Sequence, residues 1–228
     1  MIGVYNGAPY LGEAIESVLA QDYEPIELIV VDDGSTDSSG DVARSFPHVR
    51  VVRQENAGNG AARNRAVEEA TGAFYSFLDA DDRSTPRKLS LQKAALDADP
   101  GLDMVFGHVR EFLSPELDEG TRAMLRPPAP DPMPWTAPNL MLIRRESFHR
   151  VGPFTTAVRV GVTVDWFARA AEAGLRYSIL PEVVLERRLH AQNNGLRERA
   201  SRSQYIEVIR QAMERRRALA EFTQAEGS

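Results

Sequence analysis

The first half of the chain alternates short apolar runs with segments of helical periodicity, and this alternation constrains the fold more than any other feature. Ile26–Val31 and Val49–Arg53 are predicted strands, and helices are predicted near 38–45 and over 61–70. Such alternation is typical of a parallel sheet covered by helices. We therefore expect an α/β fold, in which ligands bind outside the carboxyl ends of the strands.

The same reasoning extends along the chain, with one interruption. The other predicted strands are 74–78, 104–106, 140–143, 177–180 and 183–187, and the other predicted helices are 9–19, 86–98, 145–150, 164–173 and 201–219. Pro115–Pro138 is rich in proline, which removes backbone donors and fixes the backbone, so this segment is predicted to be a loop or lid.

Composition narrows the class of protein. Hydrophobic residues make up 43 % of the 228 residues and charged residues 26 %, as is usual for a soluble globular domain. The net charge of −6 does not favour nucleic acid as a partner. The absence of cysteine, of a long apolar segment and of a signal-peptide pattern leads us to expect a cytoplasmic protein without a transmembrane segment.

Two acidic turns follow predicted strands. Asp32 and Asp33 end one strand, and Asp79 and Asp81 follow the apolar run Phe74–Leu78. Because the carboxyl ends of parallel strands meet at one edge of a sheet, both turns are expected to face the same crevice. The simpler alternative is that each turn only caps the helix that follows it.

The cluster Asp79, Asp81 and Asp82 is costly unless a cation joins it, because like charges repel. An Asp-x-Asp pair supplies hard oxygen ligands, which suit Mg²⁺ or Mn²⁺ that also hold substrate phosphates. A metal-diphosphate role for Asp79 and Asp81 is therefore our interpretation.

Three further residues have a functional and a structural interpretation. Arg63, one turn into a helix that follows a glycine-containing loop, could contact a phosphate or be a solvated surface residue. His190 could be a metal ligand or a packed histidine. Asp165, near a helix start, could be a general base or could only favour the helix dipole.

Several segments together resemble the inverting glycosyltransferases of family 2, which have the GT-A fold. In order, they are YNGAPYLGEAIESVLAQDYEPIELIVVDDGSTD, ENAGNGAARNRAV, FLDADD, RESFHRVGPF, VDWFARAAEAGLR and LPEVVLERRLH. The resemblance runs from Val4 to about Arg217. It implies one GT-A domain over 1–228: a Rossmann-like, mostly parallel sheet in a nucleotide-binding half (1–107), a smaller mixed acceptor-side half (108–200) and a C-terminal helix (201–228).

The resemblance also implies roles for individual residues. Tyr5, Asn6 and Asp33 would hold the nucleoside, with Asp33 on the base, while Arg63 and Asp79 would contact the nucleotide.

By the same resemblance, Asp79 and Asp81 would bind Mn²⁺ or Mg²⁺, Asp81 most directly, and His190 would complete the metal shell. Asp165 is our candidate for the base that deprotonates the acceptor hydroxyl.

The implied function is metal-dependent, inverting transfer of a hexose from a nucleotide-diphosphate sugar, with UDP favoured because it is frequent in the family. The acceptor could be a glycan, a lipid-linked sugar, a peptide or a small molecule. A second hypothesis is a catalytically weakened sugar-nucleotide-binding or partner-binding protein, because Val162 and Thr163 stand where the family usually has an acidic residue. A nucleotidyltransferase ranks last, because YNGAPYL has no basic residue to grip a triphosphate.

Overall fold

A computed structural model describes residues 1–191 together with Arg210, Glu214 and Arg215. The strands are β1 Ile2–Val4, β2 Leu28–Asp32, β3 Val49–Arg53, β4 Phe74–Ser76, β5 Leu78–Asp79, β6 Arg83–Ser84, β7 Met104–Leu113, β8 Met133–Pro134, β9 Leu142–Arg144 and β10 Tyr177–Leu189. The helices are α1 Ala8–Leu19, α2 Ser39–Arg44, α3 Asn59–Glu69, α4 Lys88–Ala98, α5 Glu119–Met124, α6 Arg145–Val151 and α7 Val162–Glu172, with a 3₁₀ turn at Pro138–Leu140. Most of the predicted C-terminal helix lies outside the described residues.

The first sheet is parallel throughout, in the strand order β3-β2-β1-β5. Every residue of β2 is buried, which explains why Leu28–Val31 is a continuous apolar run rather than an alternating one. Helix α3 packs on β1 and β2. In α1, Leu11, Ala14 and Ile15 are buried at helical spacing, and a proline stands in the first turn, where its missing N–H costs nothing.

A second, mixed sheet has the order β4-β9-β7-β10-β6, with β8 also paired to β7. β7 and β10 are parallel, whereas the other pairings in this sheet are antiparallel. The expected α/β architecture, a parallel sheet flanked by helices with a mixed region beside it, is confirmed. The mixed sheet has six strands against four in the parallel sheet, so it is larger than the sequence indicated.

The predicted strand Phe74–Leu78 is divided between the two sheets. β4 pairs antiparallel with β9, and after Phe77 the chain enters β5, which pairs in parallel with β1. The prediction of one continuous strand is therefore wrong. Tyr75, Phe77 and Leu78 are all buried, so the run is apolar throughout and does not show where the chain changes sheets.

Two other strands are longer than predicted. The strand predicted at 104–106 continues to Leu113, and those predicted at 177–180 and 183–187 are a single strand. Register shifts between Ile179 and Leu185 accommodate Pro181, which lies between the two predicted strands. A bulge tolerates proline because the ladder is interrupted there.

The proline-rich segment is not wholly loop, since it contains α5 and β8. β8 pairs with β7 through His108 and Val109, which fixes the end of the segment to the mixed sheet. Among the helices of residues 1–191 and the three described residues beyond, none combines the length and hydropathy that a bilayer-spanning helix requires.

Candidate active site

The loops that follow β1 and β2 and the turn that follows β5 border one cleft of about 770 Å³. Its lining includes Tyr5, Asn6, Asp33, Asn56, Asp79, Asp81, Arg187 and His190. The two acidic turns thus face a common space, as the parallel pairing of β1 with both β2 and β5 requires. Within the part of the chain that the structure describes, Arg63 and Asp165 are not among the lining residues.

The Asp33 turn connects two loops of the cleft. The buried carboxylate of Asp33 accepts hydrogen bonds from the backbone N–H of Ala57 (2.9 Å) and Gly58 (2.8 Å) and from Nε2 of Gln54 (2.7 Å). Gly34 has φ +77°, and a Cβ there would lie 2.8 Å from the backbone nitrogen of Asn56. The close approach of the two loops therefore needs glycine at this turn.

The turn after β1 is held by Asn6, whose Oδ1 accepts hydrogen bonds from the backbone N–H of Thr36 (2.8 Å) and of Asp37 (3.3 Å). Asn6 has φ +52°, a conformation that asparagine tolerates better than most residues. Tyr5 beside it is 54 % exposed and lines the cleft. This placement leaves an aromatic ring available for a planar ligand.

The three clustered carboxylates have different partners. Asp79 accepts hydrogen bonds from Arg63 (2.9 Å) and from Nδ2 of Asn139 (3.0 Å), one at each oxygen. Asp81 Oδ2 lies 2.9 Å from His190 Nε2. Each of these two carboxylates therefore has its own donor or ring partner.

Asp82 is turned away from solvent. It accepts from Nδ2 of Asn139 (2.9 Å) and from the backbone N–H of Arg188 (3.0 Å). Burial, reinforced by the charges of Asp81 and Asp79, raises the pKa of Asp82 well above its usual range.

A buried lysine lies behind the turn. Lys88 Nζ donates to the backbone carbonyls of Asn139 (2.6 Å) and of Phe77 (3.4 Å). Burial lowers the pKa of Lys88 to about 7, although the carboxylates of Asp79 and Asp82 partly oppose this shift. Through its bond to the Asn139 carbonyl, Lys88 supports Asn139, whose side chain donates to both Asp79 and Asp82.

Arg188 joins the acidic turn to the first helix. Its guanidinium is almost fully buried, donates to the Asp81 carbonyl (3.0 Å) and to Glu13 (2.7 Å), and lies 4.7 Å from the ring centroid of Tyr10. The Tyr10 ring is in turn 4.6 Å from the His190 ring. The C-terminal end of β10 thus places Arg188, and His190 just after it, against the acidic turn. Both residues are more than a hundred positions from Asp81 in the sequence.

Arg63 is not the solvated surface residue that was one of its two interpretations. It is buried, ion-paired with Asp79, and its guanidinium carbon lies 5.6 Å from the Phe154 ring centroid. From this position it orients a carboxylate of the cleft, and its direct contact with a nucleotide stays a prediction.

Asp165 lies in the first turn of α7, and both of its oxygens are engaged. Oδ2 accepts from Nε of Arg169 (2.9 Å) and Oδ1 from Nη2 of Arg215 (3.1 Å). Asp165 is not among the residues that line the cleft, and its role as the base stays a prediction.

Sequence reasoning missed Asn139, Lys88 and the structural role of Arg188. Asn139 stands at the end of a proline-rich segment, and Lys88 occupies an ordinary helix position. Arg188 is one of two consecutive arginines in the predicted strand region, and nothing local marks it as buried. A signal was available in the acidic turn itself, because clustered carboxylates need buried donors nearby.

Comparisons of the sequence with known proteins indicate a family. The sequence model described as "Glycosyl transferase family 2" matches residues 1–159. An uncharacterized glycosyltransferase of Rickettsia felis is 30 % identical over 214 residues, which are 86 % of this chain and 34 % of that protein. The uncharacterized glycosyltransferase YibD of Escherichia coli K12 is 39 % identical over 104 residues, 43 % of this chain and 30 % of YibD. The matched region is thus about a third of the length of these relatives.

Solved structures show the same fold. TarS 1–349 of S. aureus in complex with UDP-GlcNAc has a TM-score of 0.76 at 19 % identity, over 92 % of this chain and 64 % of that one. The mannosyltransferase PcManGT of Pyrobaculum calidifontis, in complex with GDP-Man and Mn²⁺, has a TM-score of 0.65 at 24 % identity, over 84 % of this chain and 56 % of that one. The expected GT-A fold is confirmed, and since the family model covers most of the residues, this chain belongs to glycosyltransferase family 2.

Proposed function

We propose that this chain binds a nucleotide-diphosphate sugar in the cleft and transfers the sugar, with inversion, to an acceptor hydroxyl. The observation that carries the proposal is the convergence of the Asp33 turn and the Asp79–Asp82 turn on one cleft. UDP is the nucleotide we favour, because TarS has been solved with UDP and with UDP-GlcNAc. In this arrangement Tyr5, Asn6 and the Asp33 turn contact the nucleoside.

A divalent cation fits the residues at the second turn. Within residues 1–191 and the three described beyond them, no three acidic or histidine side chains are grouped as a ready-made metal centre. Asp81 and His190 lie in contact, however, and Mg²⁺ or Mn²⁺ commonly binds one or two carboxylates and takes its other ligands from substrate phosphates and water. Asp81 and His190 would hold the ion, and Asp79 would adjoin it.

When bound, the cation would offset the charge of the departing diphosphate. Other residues of this chain orient the acidic turn. Arg63 and Asn139 fix the orientation of Asp79, and Arg188 fixes the backbone of Asp81 through its carbonyl. A preorganised site of this kind does not need to rearrange while charge develops on the leaving group.

Calorimetric titration of UDP with and without Mn²⁺ tests the proposal. We expect Mn²⁺ to raise UDP affinity at least about tenfold in the wild type and to have no effect in Asp81→Ala, since removing a ligand removes the metal contribution. Asp97→Ala is the matched control, because Asp97 pairs with Lys93 on the exposed face of α4 and should leave both affinities unchanged. Equal UDP affinity with and without Mn²⁺ in the wild type would contradict metal dependence.

A second candidate function is sugar-nucleotide binding without turnover. It is favoured by the two arginines that engage Asp165 and by the lack of an acidic side chain at Val162 and Thr163. Incubation with a panel of nucleotide sugars and simple glycosides distinguishes the candidates. Turnover that is lost in Asp165→Asn while UDP binding persists would support catalysis with Asp165 as the base. Binding without turnover of any donor would support the second candidate.

A further inference from the structure

An exposed tryptophan lies beside the cleft. Trp135 follows β8 and is 39 % exposed, although tryptophan is usually well covered. The guanidinium carbon of Arg187 lies over its ring, 4.9 Å from the centroid, and Arg187 itself lines the cleft with Asp81 and His190. The indole is therefore one side chain away from the wall of the proposed donor site.

Contacts other than those of the indole hold Arg187 and the proline-rich segment in place. Arg187 donates to the buried carboxylate of Glu111 (2.9 Å), which also accepts from Arg126 (2.7 Å) and from the backbone N–H of Ala129 (3.2 Å). β8 is paired with β7 just before Trp135. The proline-rich segment is thus attached to the mixed sheet at several points besides the tryptophan.

We propose that Trp135, backed by Arg187, is a platform for the acceptor, and that the acceptor is a carbohydrate. The inference rests on the proposed function, because an acceptor has to approach the cleft where the donor binds. The C–H groups on one face of a pyranose are apolar and slightly positive, which complements the negative face of an indole. The neighbouring guanidinium supplies donors for the hydroxyls at the ring edge.

The simpler interpretation is that Trp135 only anchors the proline-rich segment. An anchoring role predicts that the effect of a Trp135 substitution is a loss of stability. A platform predicts a loss of saccharide binding at unchanged UDP affinity, and rescue by another aromatic ring.

Saturation-transfer NMR on the full chain with saturating UDP and Mn²⁺ tests the platform, with methyl glycosides of glucose, galactose, N-acetylglucosamine and rhamnose as probes. We expect saturable transfer to ring C–H protons of at least one probe in the wild type. We expect at least about a fivefold loss of affinity in Trp135→Ala and substantial retention in Trp135→Phe. Met124→Ala is the control, because Met124 is an exposed apolar residue of the same segment, and it should match the wild type.

Fluorescence provides a second readout, because the other tryptophan, Trp166, is fully buried. A saccharide-dependent change in emission should occur in the wild type and disappear in Trp135→Phe. If no probe binds, or if Trp135→Ala binds saccharide as the wild type does, while UDP affinity is intact in both proteins, the platform is wrong and the proposed function stands. If the wild type does not bind UDP at all, the proposed function fails and the platform with it.

Discussion

At the scale of single residues, the acidic turn shows how three carboxylates can share a short segment. Asp81 faces the cleft and His190, Asp79 is held between Arg63 and Asn139, and Asp82 is buried with a raised pKa. Repulsion is reduced because the buried member favours its neutral form and another is ion-paired. Asn139 is central, since its single amide group donates to two of the three carboxylates.

We expect Asn139→Ala to weaken UDP binding in the presence of Mn²⁺ by about tenfold, because Asp79, which adjoins the proposed ion, loses a donor that orients it, and residues around a metal shell typically have effects of this size. It should also lower the free energy of unfolding by about 1–3 kcal/mol, as buried carboxylate oxygens lose their donor. Calorimetry and urea denaturation measure the two effects.

Asn64→Ala is the matched control for Asn139, since the Asn64 side chain also makes two hydrogen bonds, to the backbone of Phe154 (2.8 and 2.9 Å). It should destabilise the protein without changing UDP affinity. Equal effects of both variants on UDP affinity would show that Asn139 acts only through stability.

At the scale of secondary-structure elements, the β7–β10 pair dominates the second half. β10 runs beside β7 from Tyr177 to Leu189, with a bulge around Pro181. Opposite that bulge is Gly107, where a Cβ would lie 2.5 Å from Val184 Cγ1 and 2.9 Å from the Glu182 carbonyl oxygen. The bulge therefore needs a residue without a side chain on the partner strand.

We expect Gly107→Ala to lower the free energy of unfolding by about 1–3 kcal/mol, as overpacking does in a well-filled interior. Gly12→Ala is the matched substitution in α1, where the nearest atom to a new Cβ is Val42 Cγ1 at 4.0 Å. There the same change should stabilise by up to about 1 kcal/mol, through helix propensity. Urea denaturation of both variants checks the opposite signs, and two changes of the same sign would contradict this account.

At the scale of the whole molecule, β10 connects the mixed sheet to the acidic turn of the parallel sheet. Its Arg188 contacts Glu13 and Tyr10 of α1, the Asp81 carbonyl and Ser114 after β7. The site is therefore assembled from both sheets rather than from the nucleotide-binding half alone.

We expect Arg188→Met to lower the free energy of unfolding by about 1–3 kcal/mol, because the Asp81 carbonyl and the Ser114 hydroxyl lose a buried donor. The ion pair with Glu13 adds little to this loss, since the Glu13 side chain is partly exposed to solvent. UDP affinity should fall as well, since the acidic turn loses a support. Arg83→Met is the control, because Arg83 pairs with Glu13 and Glu186 (3.3 and 3.0 Å) in a more solvent-exposed setting, where ion pairs contribute at most about 1 kcal/mol. Similar destabilisation by both variants would refute the special role of Arg188.

The sequence by itself determined the α/β class, the positions of most helices and the placement of Asp33, Asp79 and Asp81 at strand ends, because these depend on local periodicity and turn residues. Only the tertiary structure decided that Phe74–Leu78 is divided between two sheets, that Asn139 and Arg188 support the acidic turn, and that Asp165 pairs with two arginines. These features depend on which distant segments pack together. An apolar run or a lone asparagine carries no local mark of its partner, so the contacts follow from the packing of the complete fold.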